Sequence, residues 1–176
     1  MTEDPGPWPD ERIEVKRTIA ASPEQVFAVL CDPLGHVDID SSGMLMDATG
    51  DVVTARGDRF VVHMDREALG DVPMGEYDVE VVIERFERDR EIGWSIQGTI
   101  KPPIGHVYGY RLEAADAADD GTPRTVVTSY YDWSTALPEW KSIFPVISEA
   151  NLKGTLGILA RIVRRRAQAA ADLLPG

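Results

Sequence analysis

His106, Tyr108 and Tyr110 occupy every second position of one stretch. Alternation of that kind puts all three side chains on one face of a β-strand. An imidazole and two phenols presented together can donate hydrogen bonds to a carbonyl or enolate, with the imidazole available as a base. The same residues also suit an aromatic wall whose hydroxyls are satisfied by neighbours. A second group is the His-x-Asp-x-Asp run of His36, Asp38 and Asp40. Imidazole and carboxylate are proper ligands for zinc or iron, but no second cluster supports them, and a polar loop is the expected reading. Neither a metal nor an organic cofactor is expected. Arg17 shares a face with Ile13, Val15 and Ile19. It either anchors a ligand carboxylate or packs its stem at a rim with its head in water.

The absent motifs narrow the chemistry. The chain has no phosphate-binding glycine loop, no Gly-x-Ser-x-Gly, no His-Glu-x-x-His and no pair of closely spaced cysteines. Nucleotide-driven, serine-hydrolase and zinc-protease mechanisms therefore lack support. A net charge of -12 argues against nucleic acid as a partner and against anionic membrane surfaces. Cys31 is the only cysteine, so no intrachain disulfide can form, and a buried helical position is expected for it. Residues 1–10 are acidic and proline-rich. They read as a disordered tail, not a secretory signal, with Trp8 able to dock. No apolar run reaches the length of a membrane span, so stable membrane insertion is not expected and the cytoplasm is the expected location.

The elements that must position these residues are a short early helix, a long final one, and strands between. Ser22-Pro23-Glu24-Gln25 opens the first helix, with Ser22 as cap and Pro23 at the first helical position. Gly35 to Asp40 reads as a turn or a second short helix. Strand patterns cover Arg12–Ile19, Met44–Ala48, Val52–Ala55, Phe60–Met64, the set Tyr77, Val79, Val81, Ile83, the set Ile92, Trp94, Ile96, the His106–Leu112 stretch and Arg124–Trp133. Short connections imply antiparallel pairing among six or seven strands. The final helix is expected from about Pro145 to Leu173, with Leu152, Leu156, Leu159 and Val163 on one face. Gly154 and Gly157 would let it approach the sheet or a ligand closely, or loosen its first turns. Arg161, Arg164, Arg165 and Arg166 suit a solvated helix end.

The order strand, Ser-Pro-Glu-Gln-Val-Phe-x-x-Leu-x-Asp-Pro helix, short helix, antiparallel strands and long C-terminal helix resembles the helix-grip START/Bet v 1-like superfamily. The likeness is strongest to the bacterial polyketide cyclase/dehydrase-like group. It extends over roughly residues 11–170, and its most specific piece runs from Arg12 to Pro33. The resemblance implies an α+β fold over residues 11–173, a curved antiparallel sheet wrapped around the C-terminal helix. It also implies an apolar cavity between sheet and helix, but it names no catalytic residue, because the fold serves many functions.

The reading that follows is a container for a hydrophobic small molecule, a lipid, fatty acyl group or polyketide. Val79, Val81, Trp94, Ile96, Tyr131, Trp133, Leu152, Leu156 and Leu159 would line it, with His106 and Arg17 as polar contacts. The enzymatic alternative is a cyclase or dehydratase with His106 as base and Tyr108 or Tyr110 as oxyanion donor. A third alternative is a protein-interaction module with a filled core and an exposed apolar patch. A homodimer is compatible with the sequence.

Overall fold

The computed structural model describes residues 8–98 and 100–175. Residues 1–7 of the expected tail therefore lie outside the described residues, whereas Trp8 packs against the core. The strands are β1 (Arg12–Ile19), β2 (Leu45–Thr49), β3 (Arg59–Asp65), β4 (Glu76–Glu87), β5 (Glu91–Gln97), β6 (Val107–Ala115) and β7 (Arg124–Asp132). They form one antiparallel sheet in the order β1-β7-β6-β5-β4-β3-β2. Helices α1 (Pro23–Cys31) and α2 (Pro33–Ile39) follow β1, and α3 (Glu149–Asp172) comes last. This is the α+β helix-grip architecture that the sequence implies.

Local chemistry explains the boundaries. Ser22 Oγ accepts from Gln25 N at 3.2 Å while the Gln25 side chain accepts from Ser22 N at 2.9 Å, a reciprocal cap that starts α1. The Asp32 carboxylate accepts from Leu34 N at 3.0 Å and caps α2, with Pro33 at its first position. His36 thus sits on a helix. The final helix begins at Glu149, four residues later than expected, because Ser148 caps it through Asn151 N. Ahead of it, Pro138–Ile143 forms a separate 3-10 turn.

Val52–Ala55 is not a strand, contrary to its β-branched composition. Val53 is buried and its N–H donates to Cys31 O at 2.9 Å, while Thr54 N and Ala55 N both donate to the Asp58 carboxylate. The segment therefore tucks under the end of α1 and offers no edge to the sheet. By contrast β4 runs on to Glu87, past a bulge between Ile83 and Arg85, which lengthens the curve of the sheet.

The register sorts the two faces cleanly. Ile13, Val15, Arg17 and Ile19 of β1 stand opposite Tyr131, Ser129, Val127 and Thr125 of β7. The inner face then continues through Tyr110, Ile92, Ile83, Val81 and Phe60. Leu152, Leu156, Leu159 and Val163 of α3 are buried against it, each contributing about 1.5–3 kcal/mol. The outer face carries a polar layer. Tyr130 lies across Gly93 and Gly109 with its hydroxyl donating to Glu91 at 2.7 Å. The Arg12, Arg85 and Arg111 guanidinium groups stand 4.2, 5.3 and 5.7 Å from its ring centre.

Candidate functional site

Pairing across three strands assembles an aromatic floor on the inner face. Tyr108 stands opposite Tyr131 on one side and Trp94 on the other, and His106 precedes β6 by one residue. The register therefore brings together the expected His106, Tyr108, Tyr110, Trp94, Tyr131 and Trp133. Trp94 stacks against Tyr108 and Tyr110 at 6.5 and 5.9 Å between ring centres. His106 meets Tyr108 edge-on at 5.1 Å. Ser129 flanks Tyr110 as its partner in β7.

The polar heart of the floor is a single contact. His106 Nδ1 and the Tyr131 hydroxyl lie 2.7 Å apart, both side chains buried. The Tyr108 ring stands 4.8 Å from the Tyr131 ring, centre to centre. Burial pushes the His106 pKa down to about 4, because desolvation disfavours the imidazolium. Burial pushes Tyr108 up to about 12 and raises Tyr110 and Tyr131 as well. At neutral pH the floor therefore presents a neutral imidazole and neutral phenols.

Sequence reasoning missed two members of this floor. His36 turns inward from α2, its ring 4.5 Å from Trp94 and 4.9 Å from Phe60. Its Nε2 donates to Leu30 O at 2.8 Å, which fixes the tautomer because a carbonyl only accepts. Burial pushes its pKa down to about 4, against the opposing bond to Leu30. The helical spacing of buried Pro33, His36 and Ile39 is the signal that would have placed it. Phe144, from the β7–α3 connection, covers the pair, 5.8 Å from His106, 6.3 Å from Tyr131 and stacked on Trp133 at 5.9 Å. No local pattern marks it.

The remaining expected residues divide by exposure. Trp94, Ile96 and Tyr108 are half-buried. Val79, Val81, Leu152, Leu156 and Leu159 are buried in the core. Arg17 shares the inner face but is exposed, its guanidinium beside Gly157 of α3, about 13 Å along β1 from Ile13. The His36, Asp38 and Asp40 side chains diverge. Asp38 pairs with Arg166 at 3.1 Å, and the Asp40 carboxylate accepts from Ser42 N and Leu45 N. Among the described residues no group of three His, Cys, Asp or Glu is placed to hold a metal ion.

Two surface hollows flank the floor. One of about 620 Å³ opens at the start of α3, between Trp8, Ile13 and residues 145–151. The other, about 470 Å³, lies at the opposite end of the sheet among charged side chains that include Glu24, Arg88 and Arg90. Neither hollow is lined by Val79, Val81, Trp94, Ile96, Leu152, Leu156 or Leu159, which pack in or against the core.

No family model and no curated protein matches the sequence. Solved structures do match. The Zhui aromatase/cyclase from a Streptomyces species superposes with a TM-score of 0.59 at 19% identity, covering 90% of this chain and 96% of that one. An AHSA1-like protein from Aeromonas hydrophila gives a TM-score of 0.53 at 18% identity over 89% and 94% of the two chains. A Mycobacterium smegmatis protein gives 0.59 at 14% over 92% and 94%. This chain has the helix-grip fold. Its likeness to the START/Bet v 1-like superfamily and the polyketide cyclase-like group is one of fold. Within the helix-grip frame, Tyr131 belongs to β7, His106 to the residue just before β6, and Phe144 to the loop that leads into α3.

Proposed function

We propose that this helix-grip chain binds a hydrophobic small molecule against the aromatic floor, between the sheet and α3. The observation that carries the reading is the buried His106–Tyr131 contact at 2.7 Å, set in a wall of rings in which Trp94 and Tyr108 are half-buried, as is the neighbouring Ile96. Apolar walls supply affinity, and one polar pair orients the guest. The cyclase alternative asks His106 to abstract a proton. A base works best with a pKa near the working pH, and burial has taken His106 to about 4. The pair therefore serves better as an orienting contact.

One observation favours a second reading, an interaction module. Leu69, Val72, Ile100, Leu137, Ile143 and Val146 are all exposed. They lie in the β3–β4, β5–β6 and β7–α3 connections, at the end of the sheet where Phe144 sits.

Native mass spectrometry of the purified protein, with solvent extraction of any adduct, separates the two. A ligand binder carries an extractable apolar adduct that the Ile96→Trp variant loses. An interaction module shows the bare chain mass in both proteins.

A further inference from the structure

A second group of reactive side chains lies on the other face of the sheet, where β2, β3 and β4 pair. Val62 and Val79 are buried on the inner face and Ala48 packs against it. Their chain neighbours His63, Asp78 and Thr49 therefore turn outward. The register sets Asp78 directly across from His63, with Thr49 one diagonal step away, within reach of a side chain. His63 Nδ1 lies 2.7 Å from Asp78 Oδ1, and His63 Nε2 lies 2.8 Å from Thr49 Oγ1. Carboxylate, imidazole and hydroxyl form one continuous chain. No local motif marks it, because its members come from three strands.

The Asp78 carboxylate only accepts, so a neutral His63 carries its proton on Nδ1. Nε2 then keeps its lone pair, and the Thr49 hydroxyl donates to it. An imidazole oriented in this way by a carboxylate activates a hydroxyl as a nucleophile. Paired strands hold the spacing of the three residues. Thr49 and Asp78 are exposed and His63 is half-buried, so a reactant can reach the hydroxyl. Neither hollow described above includes them. An open site of this kind takes an acyl donor by its reactivity, not its shape, and needs a leaving group that departs readily.

We propose that Thr49 is a nucleophile toward activated esters and thioesters of short acids, with His63 as its general base and Asp78 as a positioning residue. Thr49 Oγ1 bonds to the acyl carbon while its proton passes to His63 Nε2. The bond from the acyl carbon to the leaving oxygen or sulfur breaks, and the leaving group takes that proton. Water then attacks the Thr49 ester, again with His63 as base, which frees the acid and restores the hydroxyl.

Brief exposure of the full chain to p-nitrophenyl acetate at neutral pH, followed by peptide mapping of the acetyl groups, tests it. The expected result is an acetyl group on Thr49, formed at least about tenfold more slowly in His63→Gln and absent from Thr49→Val. Asp78→Asn is expected to slow Thr49 acetylation without moving the urea midpoint, and Asp78→Glu to restore part of the rate. Acetyl groups confined to lysines, the N-terminus or His63 itself would overturn the proposal. So would Thr49 acetylation at an unchanged rate in His63→Gln.

Discussion

The Tyr131 hydroxyl and His106 Nδ1 stand 2.7 Å apart beside the ring of Phe144, on the inner face of the sheet. Each group satisfies the other, so removing one strands its partner. Tyr131→Phe should destabilise the fold by about 1–3 kcal/mol, the cost of leaving a buried polar group unpaired. Urea unfolding measures it, and an unchanged midpoint would mean that water replaces the lost hydroxyl.

His36 and His106 make the fold sensitive to acid. Both have pKa values pushed down to about 4 by burial, against about 6.5 in an unfolded chain. Between those values the unfolded state binds more protons, so stability is complete above about pH 6.5 and falls as the pH drops towards 4. The loss is on the order of 3 kcal/mol for a fully buried histidine. Urea midpoints at pH 7.5, 6 and 5 should decline in that order, and His36→Gln with His106→Gln should flatten the slope. A wild-type profile flat across this window would contradict the assignment of neutral histidines.

On the outer face, Gly109 is required by Tyr130. A Cβ at Gly109 would stand 2.3 Å from both the Tyr130 Cζ and its hydroxyl oxygen. Gly109→Ala should therefore cost at least about 1–3 kcal/mol through overpacking. Combining it with Tyr130→Ala relieves the clash, so the double variant should lose less than the sum of the two singles. Strict additivity would show that the ring moves aside freely.

Arg166 ties α3 to the early helices through Asp32 at 3.0 Å and Asp38 at 3.1 Å. All three side chains are partly exposed, which limits the contribution. Arg166→Ala should cost about 1 kcal/mol or less and lose most of that effect in 1 M salt. A larger, salt-independent loss would indicate packing by the arginine stem.

Much of the fold was legible because alternation is a local signal. Tyr77, Val79, Val81 and Ile83 announced β4, and the register then delivered His106, Tyr108, Tyr110 and Trp94 to one face. Ser22 and Pro23 marked α1 by their own chemistry. Val52–Ala55 misled, since β-branched residues suit a strand but the partners of this segment are Cys31 and Asp58. The spacing of His36, Asp38 and Asp40 suggests a ligand set, but the cap at Asp32 places His36 on a helix facing Trp94. Phe144 was not legible at all. A loop side chain is placed by what it packs against, and Trp133, Tyr131 and His106 are distant in sequence or spaced irregularly from it.

The most direct test of the central claim is an amide and indole NMR titration of the full chain with 2-acetylnaphthalene. Binding on the floor predicts the largest shifts at the Trp94 indole and the amides of His106 to Tyr110, Tyr131 and Phe144. Shifts confined to Trp8 and residues 145–151, or to the exposed loops around Leu69 and Ile100, would contradict it.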